Sequence, residues 1–294
     1  GLNILTGYCG QVSLGTGAFM AVGAYASFKL VGFFPELNYL IVLVLSGFIT
    51  AGVGMIFGLP SLRIKGFYLA VATLAAQFFL VWMFNKVGWF YDHSPTGMIT
   101  VRPIEFFGTL VTGPQADSAA KYLFTLSIVV VLAVTAKNIV RGRIGRSWMA
   151  IRDMDIAAEL IGIKPLAAKL SAFAVSSFYI GIAGALYFSV YLGAVEPVEA
   201  FDINRSFYVL FIIIIGGLGS ILGSFLGAAF IVLVPILLKN LMVGGMGVAS
   251  GTAGHVEILL MGVLIIFFLI VEPHGLARLW QIAKEKLRLW PFPH

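Results

Sequence analysis

The chain has 294 residues, of which 60% are hydrophobic and only 11% charged, with a mean hydropathy of +1.01. That charged share is about half that of an average soluble domain and cannot clothe a water-exposed surface, which excludes an ordinary soluble globular protein. The net charge of +6 comes from Lys and Arg gathered beside apolar segments, not from one basic face, so it signals membrane topology and excludes a nucleic-acid interface.

The chain opens at Gly1-Leu2-Asn3-Ile4, inside an apolar stretch, and further sequence is expected upstream. No basic region followed by a short apolar block and a small-residue cleavage site is present, so membrane insertion itself is expected to direct targeting. Leu2 to Val31 is long enough to span but is interrupted by Gly-Gln-Val-Ser-Leu-Gly-Thr-Gly at Gly10 to Gly17. Backbone opened in hydrocarbon survives only where it is buried in protein or lines a wet cavity. Gln11, Ser13 and Thr16 are therefore candidate lining of a translocation pathway. Cys9, alone of its kind, cannot form an internal disulfide and reads as core filler.

Asn38 to Leu59, Phe67 to Lys86, Tyr122 to Val140, Leu170 to Leu192 and Val256 to Val271 each have the length and apolarity of a membrane span. Arg63 and Lys65, and then Arg141, Arg143, Arg146, Arg152 and Lys164, place the loops that carry them in the cytoplasm. The acidic segments Gly88 to Ala120 and Ala194 to Arg205 alternate with them as external loops. Between the spans at 122–140 and 170–192, Gly142 to Ile163 predicts one charged helix with Ala150, Met154, Ala157 and Ile161 on an apolar stripe. Asp153, Asp155 and Glu159 would repel anionic headgroups, so this helix is expected to dock in a partner's groove and not on lipid.

Phe207 to Leu238 carries the second break, Gly-Gly-Leu-Gly-Ser-Ile-Leu-Gly at Gly216 to Gly223, with Gly217, Gly219 and Ser220 as candidate pathway residues. The basic tail from Arg278 to Arg288 belongs inside, and parity then makes the second break the turn of a re-entrant hairpin or a tilted broken pair. Both breaks lead into small-residue helices, which suggests an internal repeat. The tail itself, with Leu276, Leu279, Trp280, Ala283 and Leu287 along one side, suits the inner membrane interface. Neutral groups elsewhere at depth, Thr73 with Gln77 and Ser176 with Ser177, read as helix–helix hydrogen-bonding partners.

No charge falls near the middle of any span, which disfavours ion-coupled transport. His93, His255, His274 and His294 lack metal-ligand spacing, and no Gly-x-x-x-x-Gly-Lys-Ser/Thr phosphate loop is present, so the chain carries no enzymatic site or cofactor of its own.

The opening Gly1 to Gly15, the loop from Gly145 through Ala-Ala-Glu-Leu-Ile-Gly-Ile, the Gly216-Gly217-Leu218-Gly219-Ser220 break and the closing Glu272-Pro273-His274-Gly275-Leu276 together resemble the M-type permease subunit of branched-chain amino acid ABC importers. The resemblance covers nearly the whole chain. It implies an all-α polytopic protein of about seven to nine helical segments in the bacterial inner membrane. A permease domain at 1–272, with a cytoplasmic coupling loop at 141–166 and an external loop at 88–120, precedes a cytoplasmic amphipathic tail at 273–294. It also implies a second permease subunit, two ATPase subunits that bind the ATP and Mg, and a periplasmic binding protein. Arg152, Asp153, Asp155, Glu159 and Gly162 would belong to the coupling helix. Thr16 stands where many members carry His, which leaves open an importer of urea, an amide or an aromatic or carboxylic acid; a stand-alone channel is the remaining alternative.

Overall fold

The computed structural model describes residues 1–61, 68–106, 108–113, 115–245, 262–268 and 275–289, with the single positions 256, 259 and 270. Of the span expected at Val256 to Val271, the described residues, among them the run 262–268, are helical; Arg63 and Lys65 lie outside the described residues. Two compact units are resolved, Gly1–Phe207 and Tyr208–His294.

The protein is an all-α polytopic membrane protein. Among the described residues, six helices are long and apolar enough to cross a bilayer. Five lie in the first unit: α1 (Thr16–Phe33), α2 (Tyr39–Ser61), α3 (Tyr68–Lys86), α4 (Ser118–Arg141) and α7 (Pro165–Leu186), which runs on into a π-helical turn at Tyr187–Leu192. A short π-helix, Ile4–Tyr8, precedes α1. Between α4 and α7 lie α5 (Arg143–Asp153) and α6 (Asp155–Leu160), and α8 (Pro197–Ala200) follows the turn after α7.

Burial divides the spans by role. In α1 and α7 72% of the spanning window is buried, against 17% in α4, so α1 and α7 form the interior of this unit. Tyr122, Leu123, Val131 and Val134 on α4, like Phe48 and Ile56 on α2, are exposed apolar side chains, as a hydrocarbon solvent allows. Lipid gives apolar helices little reason to associate, so close backbone packing must hold them together. Gly23 of α1 lies directly against the backbone of Gly181 in α7, and Gly184 against that of Met20. Against α7 as well, Gly47 of α2 packs on Phe178 and Gly54 on Ser177.

The two segments expected outside are joined to each other. Strand β1 (Ile99–Thr100) pairs antiparallel with β4 (Ala194–Val195), and a second ribbon, β2 (Glu105–Phe106) with β3 (Thr109–Leu110), folds back on itself nearby in sequence. Asp92 of the same long loop forms an ion pair with Lys29 near the end of α1. These contacts put the end of α1, the 88–120 segment and the start of the 194–205 segment on one side of the molecule, as the charge alternation requires.

The second unit contains most of α9 (Ile203–Gly216), the 20-residue α10 (Ile221–Asn240) and a C-terminal helix, α11 (Gly275–Leu289). Gly223 lies on the carbonyl of Gly216 and Gly227 on that of Ile212, so α9 and α10 form a tight antiparallel hairpin. At 14 residues α9 is about 21 Å long, short of a hydrocarbon core of about 30 Å.

The glycine contacts between α1 and α7 set a paired test. Gly23→Val drives its Cβ into the Gly181 backbone and should destabilise the purified protein by about 1–3 kcal/mol or more. Gly32→Val, at a position with nothing within 4 Å, should leave the thermal midpoint in detergent close to wild type.

Candidate functional site

The first break is real and is closed by side chains from elsewhere. Helical structure ends at Cys9, residues 10–15 are irregular, and α1 begins at Thr16. Gly15 caps α1 without any side chain to satisfy the amides of the first turn. Distant residues satisfy them instead. Ser206 Oγ accepts from the Gly17 amide at 2.8 Å and Gln77 Oε1 from the Ala18 amide at 2.7 Å. Thr73 Oγ1 accepts from the Leu14 amide at 3.0 Å. Within the break, Thr6 Oγ1 donates to the Gln11 carbonyl at 3.1 Å.

Gln77 is the centre of this arrangement. Besides accepting from Ala18, its Oε1 accepts from Ser206 Oγ at 2.9 Å, while its Nε2 donates to the carbonyl of Phe201 at 2.7 Å. Thr73 and Gln77, expected as helix–helix partners, thus bond to opened backbone of α1 and of the segment after β4. Ser206 was not singled out in the sequence: a lone Ser after an acidic loop carries no local sign that it meets a residue 189 positions away.

That segment also departs from the surface loop expected at Ala194 to Arg205. Phe201 is fully buried, and the Phe201 and Asp202 carbonyls stand where a Cβ on Gly17 would lie. Arg205 fixes the segment by donating to Tyr187 Oη at 2.7 Å with its guanidinium over the Tyr187 ring. The break is therefore plugged from the side expected to be external.

Of the candidate pathway residues, Gln11, Ser13 and Thr16 are 7%, 2% and 1% exposed. Gln11 Oε1 and Thr16 Oγ1 are buried with no hydrogen-bond partner among the described residues. Buried polar atoms normally find partners, so two orphans in one short break mark a place where a polar visitor or water would be welcome. Cys9 is buried, as expected of a filler. Gly217, Gly219 and Ser220 lie in the second unit, at the turn of the α9–α10 hairpin. Gly217 and Gly219 have φ of 114° and 76°, and Ser220 caps α10 by accepting from the Gly223 amide at 3.0 Å. Gly275, at the start of α11, packs on the backbone of Gly217, so the tail begins beside this turn.

The expected single helix from Gly142 to Ile163 is two helices. Met154 adopts an extended conformation, φ −156° and ψ 98°, and ends α5 before α6 starts. The apolar stripe predicted through Ala150, Met154, Ala157 and Ile161 does not survive, because the bend turns Met154 and Ile161 outward, 70% and 76% exposed. In α5, Trp148 is fully buried and its Nε1 donates to Ser171 Oγ of α7 at 2.9 Å. In α6, Ala158 faces inward while Ile156 and Leu160 are exposed beside Asp153 and Glu159. Gly162, with φ +88°, follows the C-cap: its amide donates to the Glu159 carbonyl at 3.0 Å and that of Ile163 to the Ala158 carbonyl at 3.1 Å. This is a Schellman ending that a residue with a Cβ adopts only under strain. Asp153, Asp155, Glu159 and Gly162 thus belong to an exposed elbow. Arg152, also exposed, stands beside that elbow and in addition donates from Nη1 to the Gly7 carbonyl at 2.9 Å.

Among the described residues no group of three or more His, Cys, Asp or Glu comes together to hold a metal. The described spans agree with what comparison with known proteins gives. Residues 1–269 match the family described as branched-chain amino acid transport system / permease component. The chain belongs to this family. The permease is 30% identical, over 94% of its own length, to the high-affinity branched-chain amino acid transport system permease protein LivM of Escherichia coli, and 29% identical over the same share to that of Salmonella typhimurium. It spans 66% of the length of each. A probable branched-chain amino acid transport permease protein LivM of Methanocaldococcus jannaschii is 24% identical over 81% of the chain. No solved structure gives a significant match.

Gln77 binds three groups, the Ala18 amide, the Ser206 hydroxyl and the Phe201 carbonyl. Gln77→Leu leaves the Ala18 amide and the Phe201 carbonyl without it, at about 1–3 kcal/mol for each buried orphan. A matching fall in thermal stability, with faster amide exchange at Ala18, is the expected result.

Proposed function

We propose that the permease is the membrane-spanning subunit of a binding-protein-dependent ABC importer that moves branched-chain or related amino acids into the bacterial cytoplasm. On this reading it pairs with a second permease subunit in the inner membrane. Two separate ATPase subunits bind ATP and Mg, and a periplasmic binding protein delivers the solute. The tail at 273–294 lies on the cytoplasmic side, where its basic helix rests on the inner leaflet.

The observation that carries this reading is the exposed elbow after Met154. It offers Met154, Ile156, Leu160 and Ile161 to the surroundings, ringed by acidic residues on the positively charged side of the topology. Lipid headgroups would repel that ring, whereas a groove in a protein partner with basic walls would accept it. The relatives' names supply the solute class. The zwitterion would meet neutral groups: Gln11 Oε1 and Thr16 Oγ1 as acceptors for its ammonium, and the amide end of α1 for its carboxylate. Passage requires the Phe201 segment to leave its place. Such weak, uncharged solvation suits transit, and selectivity then rests chiefly on the external binding protein.

Thr16 favours one variation on this reading. A buried hydroxyl without a partner or titratable ring accepts a neutral amide or urea as readily as an amino acid, so an importer of such a solute is the second reading.

The complex reconstituted with its ATPases and binding protein should take up radiolabelled leucine, isoleucine or valine only with ATP inside the proper compartment. Uptake without ATP would establish a channel, and uptake of urea or an amide in place of the amino acids would establish the second reading. Because Thr16 Oγ1 has no hydrogen-bond partner among the described residues, Thr16→Val should leave the fold's stability within about 1 kcal/mol of wild type while lowering flux. Undiminished flux would remove Thr16 from the pathway.

A further inference from the structure

Arg152 joins the elbow to the first break. It occupies the last turn of α5, two residues before the bend at Met154. From there its Nη1 donates to the Gly7 carbonyl at 2.9 Å, across 145 positions of sequence. Gly7 lies in the last turn of the short helix that ends at Cys9, among carbonyls that have no amide partner further along that helix. A guanidinium there meets the negative end of the helix dipole as well as an open acceptor. The aliphatic stem of Arg152 lies under Gly10: a Cβ on Gly10 would be 3.0 Å from Arg152 Cγ. Gly10 itself has φ +72° and is the first residue of the break.

The two ends of this contact differ in how firmly they are held. Trp148 pins the middle of α5 to α7, so α5 is fixed one turn before Arg152. Beyond Met154, α6 is only six residues long and largely exposed. A push on α6 therefore acts through the last turn of α5. Arg152 also bonds Asp153 at 2.9 Å, which holds the guanidinium in the plane that reaches Gly7.

We propose that Arg152 is a positioning residue that ties the docking elbow to the Gly10–Gly15 break, so that a displacement of α6 reaches the opened backbone as a pull on the Gly7 carbonyl. The proposal rests on the importer reading above, since it needs a partner that moves α6. Such a link is carried by a contiguous chain of contacts, and only a coupling measurement establishes it.

The measurement is solute delivered per ATP hydrolysed, in proteoliposomes holding the complete complex with its binding protein. Arg152→Gln removes the charge and the fork, and the ratio is expected to fall roughly tenfold, the worth of a charge-assisted hydrogen bond. Arg152→Lys should recover part of it. Gly10→Ala leaves Arg152 in the sequence but displaces its stem, and the same fall is expected. If both variants lower hydrolysis and delivery in proportion, so that the ratio is unchanged, Arg152 acts at docking alone and the proposal is overturned. Should Arg152→Gln fail to assemble, Gly10→Ala decides in the same way. A wild-type complex that delivers solute without hydrolysis fails the importer reading itself, an outcome distinct from an unchanged ratio in the variants.

Discussion

An α-helix begun in mid-protein leaves its first amides without partners, and in a lipid environment water cannot supply them. The arrangement around α1 follows from that constraint. Because Gly15 contributes no capping side chain, the amides of Gly17 and Ala18 depend on Ser206 and Gln77, which must come from other parts of the chain. Meeting the demand draws α3 to the start of α1 and pulls the segment after β4 inward until the Phe201 carbonyl meets Gln77. Gly15 and Gly17 are small for the same reason: a Cβ on either would lie 2.8 Å from a backbone carbonyl, of Thr73 or of Asp202. One unsatisfied turn of helix thus explains a buried Gln, a buried Ser, two glycines and an inward fold of an acidic loop.

The second break shows that similar sequence can be closed by different means. Ser220 caps α10 locally, and Gly216, Gly223 and Gly227 allow α9 and α10 to pack backbone on backbone. There the Gly217 amide reaches the Ile213 carbonyl and the Ser224 amide the Ser220 carbonyl, each four positions away. At the first break the partners lie 59 to 189 positions away. A site closed by long-range side-chain bonds can be opened by moving one partner, whereas a locally capped turn moves as a unit. The cap gives Ser220 a structural duty that its polarity alone did not reveal.

The sequence showed the spans well because hydrocarbon demands length and apolarity, and both are countable. α2 and α3 begin within a residue of where hydropathy put them, while α4 starts four residues earlier, at Ser118, because its first turn is amphipathic and not fully apolar. The glycine breaks were also legible, since Gly clusters with Ser and Thr are costly in a helix interior. What could not be read was how the breaks are filled. Gln77 looked like an ordinary helix–helix contact, and Ser206 like a loop residue, because hydrogen bonds over such separations leave no periodic trace. The bend at Met154 was equally hidden: its flanking residues favour helix, and only the tertiary hold on Trp148 and Ala158 makes an extended residue there tolerable. Gly162 was the local clue to the end of α6, as a C′ glycine is for many helices.

The elbow illustrates why a weak helix can suit a coupling element. Six residues cannot hold helical form in water by propensity, since nucleation is unfavourable and few bonds follow it. α6 persists because Ala158 is buried and Gly162 closes its end. Stability that depends on a single inward side chain leaves the outward face free to be remodelled by whatever covers it, at small cost. The element behind it is the opposite kind, with Trp148 fully buried and hydrogen-bonded to α7. A soft contact surface backed by a rigid lever concentrates any displacement at the joint between them, and the side chain at that joint which reaches opened backbone is Arg152.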